Sequence, residues 1–146
     1  MLRKANITMK NIQSPEEGEN ADELEFFTDA LYTYEAGSGC FTYQESELTG
    51  MSGTQTTILF NQEEMVIDRK GTINSLMRFR PGESTAVLMN TPFGEARLGV
   101  TTRSLSGSAT EEGGEMTVDY VLDLEHSMSI ICKLIINIEP GELINA

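Results

Sequence analysis

Apolar and polar residues alternate with a period of two along most of this 146-residue chain. Successive side chains of a β-strand point to opposite faces of its sheet, whereas an amphipathic helix repeats about every 3.6 residues. The clearest alternation is in EMTVDYVLDLE, residues 115–125, which therefore predicts a strand with one buried and one solvated face. Its apolar face comprises Met116, Val118, Tyr120, Leu122 and Leu124.

The next segment, SMSIICKLIINIE (residues 127–139), has the same pattern. One of its faces comprises Met128, Ile130, Cys132, Leu134, Ile136 and Ile138. The intervening residues LEHS are few enough for a tight turn, so the two segments predict a β-hairpin.

The residues TPFG (91–94) separate two further segments, ESTAVLMN and EARLGVTTRSLS. Pro92 has a fixed φ and no N–H to donate, and Gly94 tolerates a positive φ. The four residues therefore predict a turn that ends one strand and begins the next.

Similar segments recur from ANITMKNI (5–12) to GTINSLMRF (71–79), separated by residues typical of turns, and no helical period is convincing. Strands with one wet face and no helix to cover the other must fold onto themselves, as a barrel or a sandwich. The short connections favour the barrel. We predict an all-β chain in which residues 1–146 form a single domain, a closed antiparallel β-barrel of about eight to ten strands in mostly up-and-down order.

The formal net charge is −13, which disfavours nucleic acid and anionic membranes as partners. Five arginines nevertheless fall in the near-neutral middle of the chain, and they either balance nearby glutamates in solvent or face an anion. These arginines are Arg69, Arg78, Arg80, Arg97 and Arg103.

The first residues, MLRKANITMKNIQ, lack the continuous apolar core of a signal peptide, and Lys133 interrupts the longest apolar run. We therefore expect a soluble, cytoplasmic protein. Cys40 and Cys132 have no metal-ligand spacing and predict free thiols. His126 has no partner histidine, which argues against a zinc site and against a Ser-His or Cys-His nucleophile pair. No cofactor is expected.

Two charged residues fall on faces that the alternation assigns to the interior: Glu45 is in phase with Tyr43, and Arg69 with Met65. Charges inside a barrel are costly unless they are paired. One interpretation is an internal ion pair that fixes strand register. In the other, Arg69 binds the carboxylate or phosphate of an elongated ligand and Glu45 helps to hold it. The candidate ligand-binding residues are Arg69, Glu45, Tyr43 and Met65.

The chain contains Glu45 with Leu48-Thr49-Gly50, Arg69 with Gly71, Phe79 with Gly82, and TPFG with Thr101-Thr102. The order and spacing of these motifs resemble the YwiB-like family, small bacterial proteins with a domain of unknown function. The resemblance covers roughly residues 5–138. It implies a calycin or lipocalin-like β-barrel, a fold that often holds a small apolar ligand, and it implies no activity. Met89 stands where we expect an aromatic residue.

Three functional hypotheses follow, and the sequence assigns no activity. The first is a barrel that binds an apolar or amphipathic small molecule. The second is a protein-interaction or structural module with a packed interior, whose acidic surface or barrel edge binds a basic protein partner. The third is an enzyme of unknown class, which the absence of HExxH, GxSxG and phosphate-loop motifs disfavours.

Overall fold

The computed structural model of the chain describes residues 2–15, 21–124 and 129–144. These residues contain ten β-strands and one turn of 3₁₀ helix, Glu47–Thr49. The strands are β1 (Arg3–Ser14), β2 (Asp22–Glu35), β3 (Ser38–Gln44), β4 (Thr54–Phe60), β5 (Met65–Gly71), β6 (Ser75–Phe79), β7 (Ser84–Thr91), β8 (Gly94–Thr110), β9 (Gly113–Leu124) and β10 (Ser129–Leu143).

All ten strands belong to one antiparallel sheet, in the order β6-β5-β4-β3-β2-β1-β10-β9-β8-β7. Each strand therefore pairs with its neighbours in the chain, except that β6 and β7 are the two ends of the sheet, and β1 pairs with β10 along most of its length. The predicted up-and-down β-barrel is confirmed, as are the hairpin of β9 and β10 and the turn at TPFG. The turn residues of the β9–β10 hairpin, with His126 and Met128, lie outside the described residues.

The barrel is nearly closed, because β6 and β7 meet at one point. Asn74 and Asn90 exchange two backbone hydrogen bonds, with N···O distances of 3.0 and 2.9 Å. No further ladder joins these two strands in the described part of the chain. Closure there relies on side chains, and Phe79 of β6 packs against Tyr120 of β9 with ring centroids 4.8 Å apart.

A second interruption lies between β2 and β3. β3 is short and pairs with residues 31–35 of β2, so residues 22–30 of β2 pair with β1 alone among the described strands. Within the described part of the chain, a strand edge is therefore unpaired beside the end of β3.

The interior is apolar because each strand places alternate residues there, as predicted for β9 and β10. The core includes Ile7, Phe41, Ile58, Phe79 and Ile136, all fully buried. Among the described residues, no helix is long and apolar enough to cross a membrane.

Candidate functional site

A cavity of about 400 Å³ occupies one end of the barrel interior. This cavity end carries the β3–β4, β5–β6 and β7–β8 connections, because the strands are antiparallel. Most of the wall is apolar and includes Met9, Leu24, Phe26, Met77, Leu122 and Leu134. Apolar side chains therefore continue along the strands to the cavity end, but they leave part of the barrel interior unfilled there.

Glu45 is buried at the wall of this cavity, with 1% of its side chain exposed. Its carboxylate accepts hydrogen bonds from the hydroxyls of Thr49 at 2.9 Å and Thr56 at 2.5 Å. Thr49 is within reach because the chain leaves β3 and turns through the 3₁₀ helix, which Ser46 caps. Two hydroxyl donors fix the carboxylate in one orientation.

Arg69 is on β5 and lies beside Glu45, and the Arg69 Nε atom is 3.9 Å from the Glu45 Oε2 atom. At that distance the two charges attract, but Nε makes no hydrogen bond to a described residue although the atom is buried. Nη1 points to the Met77 sulfur at 3.8 Å. The guanidinium therefore has an N–H donor without a strong partner at the cavity wall.

Asn11 contributes a second polar atom without a partner, because its buried Oδ1 accepts no hydrogen bond from a described residue. Asn11 and Arg69 both line the cavity. The cavity wall thus contains one donor and one acceptor, both buried, that have no hydrogen-bond partner among the described residues. Asp22 and Glu23 also line it, which makes the surroundings acidic apart from Arg69.

Two tyrosines complete the polar part of the wall. Burial raises the pKa of Tyr43, and the charge of Glu45 raises it further while Arg69 opposes both effects. Burial likewise raises the pKa of Tyr120, with a smaller contribution from Cys132, and Arg69 again opposes it. Both phenols therefore stay neutral and can donate or accept hydrogen bonds at neutral pH.

The structure brings together three of the four predicted ligand-binding residues, because Arg69, Glu45 and Tyr43 all line the cavity. Met65 does not join them. It lies at the other end of β5, fully buried, beside a separate depression of about 360 Å³. Strand parity placed Met65 on the correct face, but parity carries no information about position along the barrel axis.

Of the five arginines in the middle of the chain, Arg69 is the one that is turned inward, and the other four are exposed. Arg78 pairs with Glu64, and Arg80 with Glu63, Glu64 and Glu83. For Arg78 and Arg80, the interpretation that they balance nearby glutamates in solvent is confirmed.

The family profile described as "Domain of unknown function (DUF1934)" matches residues 7–136. The chain belongs to this family. It is 24% identical over 141 residues to "Uncharacterized beta-barrel protein YwiB" of Bacillus subtilis (strain 168), covering 97% of this chain and 98% of that protein. The crystal structure of the ywiB protein from Bacillus subtilis superposes with a TM-score of 0.83 at 22% identity, over 97% of this chain and 94% of that one.

The short motifs that carried the resemblance in the sequence have identifiable structural roles. Gly82 adopts a positive φ of 83° in the turn after β6, and its N–H donates to the Thr102 carbonyl at 2.9 Å, which ties this turn to β8. Glu45, Thr49 and Arg69 instead form the polar wall of the cavity. Met89, where the resemblance led us to expect an aromatic residue, also lines the cavity.

Sequence reasoning missed Asn11, Thr49, Thr56 and Tyr120 as parts of this site. Thr49 belongs to the motif of Glu45 with Leu48-Thr49-Gly50, but the sequence does not show that its hydroxyl donates to the Glu45 carboxylate. Asn11 and Tyr120 lie on β1 and β9, and both reach the cavity because β10 pairs with each of those strands.

The buried tyrosines predict a loss of stability at alkaline pH. Burial raises the pKa of Tyr32 to about 12, and the pKa values of Tyr43 and Tyr120 are also raised. In the unfolded chain a tyrosine loses its proton near pH 10, so above about pH 10 the unfolded state binds fewer protons and stability falls. Burial also raises the pKa of the Cys40 and Cys132 thiols, so we expect urea midpoints to begin to fall near about pH 9 and to fall more steeply above about pH 10. Tyr43→Phe should make that fall shallower, and a midpoint that stays flat to about pH 11 would contradict this assignment.

Proposed function

We propose that this barrel binds a small amphipathic molecule, with its apolar body against the cavity wall and its polar head at Arg69. The single observation that carries the proposal is the buried Arg69 Nε without a hydrogen-bond partner, at the wall of a cavity of about 400 Å³. Ligand sites of roughly 300–1,000 Å³ with apolar walls and a few convergent polar groups are typical of small-molecule binding proteins.

The head group needs at least one oxygen that accepts a hydrogen bond from Arg69. A carboxylate fits this donor, because charge-assisted bonds to guanidinium are the stronger kind. Glu45, Asp22 and Glu23 at the same wall disfavour a head with several negative charges. We therefore propose a single carboxylate or a neutral carbonyl in preference to a phosphate.

We also propose that the chain is a single-domain calycin-like barrel and acts in the cytoplasm. Its up-and-down strand order and one-ended cavity support the first proposal. Two free cysteines, Cys40 and Cys132, support the second, because free thiols suit a reducing compartment.

Native mass spectrometry of gently purified protein, followed by solvent extraction, tests the proposal. We expect a bound small molecule at one per chain. Purified protein should also bind decanoate more tightly than decanol, and decanol more tightly than decylamine. Protein that carries no small molecule and binds none of the three probes would exclude the proposal.

Arg69→Lys should weaken decanoate binding by about tenfold or more, because it keeps the charge beside Glu45 but loses the Nε donor. The matched control is Arg97→Ala, which removes an exposed arginine from β8 and should leave decanoate affinity unchanged. Equal decanoate affinities of the Arg69→Lys and native proteins would show that Arg69 does not bind the head group.

A further inference from the structure

The edge of β2 borders the cavity at residues 22–26 and is an extended strand with one side unpaired among the described residues. Residues 22–30 form a regular ladder with β1, but β3 pairs only with residues 31–35. An unpaired strand edge presents N–H and C=O groups in the spacing that another extended chain matches.

The hairpin between β2 and β3 shows which residues present those groups. Glu35 and Ser38 flank a two-residue turn of Ala36 and Gly37, both with positive φ, and such a flanking pair exchanges both of its backbone bonds. Along a strand, every second residue directs its backbone N–H and C=O groups to the same side. The unpaired groups of the β2 edge therefore belong to Glu23, Glu25, Phe27 and Asp29. The Asp29 carbonyl has a local contact with the Thr28 hydroxyl at 3.2 Å.

The side chains of this edge are acidic and apolar. Glu23, Glu25, Phe27 and Asp29 all point outward and are exposed, Phe27 to 74%. Lys10 pairs with Glu23 at 3.5 Å, so Glu25 and Asp29 keep most of the excess negative charge. The edge also opens onto a groove of about 660 Å³ between β2 and β3, lined in part by Asp29, Leu31 and Gln44.

We propose that residues 23–29 of β2 bind an extended basic segment of a partner protein, in which Lys or Arg alternates with apolar residues. The partner's basic side chains lie opposite Glu23, Glu25 and Asp29, and one apolar side chain covers Phe27, because cross-strand neighbours on the same face are in contact. Its other face lies against the β2–β3 opening, where Leu24 and Phe26 are half-buried.

Charge selects this occupant over a second copy of the chain. Two β2 edges that paired with each other would bring acidic residues together in a protein of net charge −13. Acidic residues on an edge can also serve simply to keep it unpaired. The two explanations differ in what a basic peptide does.

The test uses a fluorescein-labelled decapeptide of alternating Lys and Val, with an alternating Glu and Val peptide as its control, and measures anisotropy at increasing salt. We expect saturable binding of the basic peptide, weakened at high ionic strength, and no binding of the acidic one. Hydrogen exchange should show new protection at residues 23, 25, 27 and 29, while Leu24, Phe26 and Thr28 are already protected by β1.

Glu25→Pro is the decisive variant, because the residue-25 N–H points away from β1 and a proline there leaves the β1 ladder intact. It should lower the basic peptide's affinity by roughly tenfold or more. Glu25→Ala separates the lost charge from the blocked edge, and Glu112→Lys, in the exposed β8–β9 turn, is the control for net charge. Circular dichroism and a urea midpoint near that of the native protein establish that Glu25→Pro is folded.

No binding of the basic peptide, or binding that Glu25→Pro does not alter, would overturn the proposal. Concentration-dependent dimers that Glu25→Pro disrupts would assign the edge to a second copy instead and would also overturn it. Arg69→Lys should leave peptide binding unchanged, so failure here and failure of the cavity proposal are distinguishable.

Discussion

Phe79→Ala is expected to lower the free energy of unfolding by about 3–5 kcal/mol, the usual cost of removing a fully buried phenylalanine. Phe79 is fully buried on β6, the last strand of the ladder, and its ring contacts Tyr120 across the barrel. Because Asn74 and Asn90 provide a single backbone bridge between β6 and β7, side-chain packing has to hold this side of the barrel closed.

The measurement is urea unfolding followed by circular dichroism. Leu76→Ala is the matched control, because Leu76 lies on the same strand with 58% of its surface exposed and should change stability by no more than about 0.5 kcal/mol. Phe79→Leu, which retains most of the buried volume, should fall between the two. A loss below about 1 kcal/mol for Phe79→Ala would mean that the barrel closes without this contact.

The order of the strands was predictable because it follows from local signals: alternation within each segment and turn residues between segments. The ends of strands were less predictable. The segment GCFTYQESE, residues 39–47, suggested a strand that runs through Glu45, whereas β3 ends at Gln44 and Ser46 caps a 3₁₀ turn. Ser46 and Gly50 are cap residues, but in a single sequence they are equally typical of a loop.

β10 shows the opposite error, because it continues to Leu143 past Pro140. Proline cannot donate to a ladder, so the sequence suggested an end near residue 139. In the structure Pro140 lies at the register shift of β1 between Arg3 and Ala5, where the regular pairing is already interrupted. Such a compensation between two distant segments is not visible in either one alone.

The candidate site was likewise predictable only in part from the sequence. Parity within one strand predicted that Glu45 and Arg69 point inward, and they do. The cavity itself depends on the volumes of side chains from many strands, and no periodicity encodes their sum. Asn11 and Tyr120 line the cavity because the pairing of β10 with β1 and β9 brings these strands together at its wall.

Arg69→Met is expected to lower the free energy of unfolding by about 3 kcal/mol, because it leaves the Glu45 carboxylate buried without its cation. We take the lower end of the usual range since 16% of the Arg69 side chain is exposed, so water relieves part of the cost. In the double variant Glu45→Gln/Arg69→Met no charge is buried. Glutamine also keeps hydrogen-bond partners for Thr49 and Thr56, so most of the loss should be recovered.

A double-mutant cycle measured by urea unfolding therefore gives the coupling between the two residues, which we expect to be about 2 kcal/mol. A double variant as unstable as Arg69→Met would assign the loss to packing of the arginine stem. Recovery of stability has a functional consequence, because a neutral pair would then serve the fold as well as the charged pair does. If the double variant is stable but no longer binds decanoate, the Arg69 guanidinium is needed for the ligand, and the ion pair and the ligand anchor are two uses of the same group.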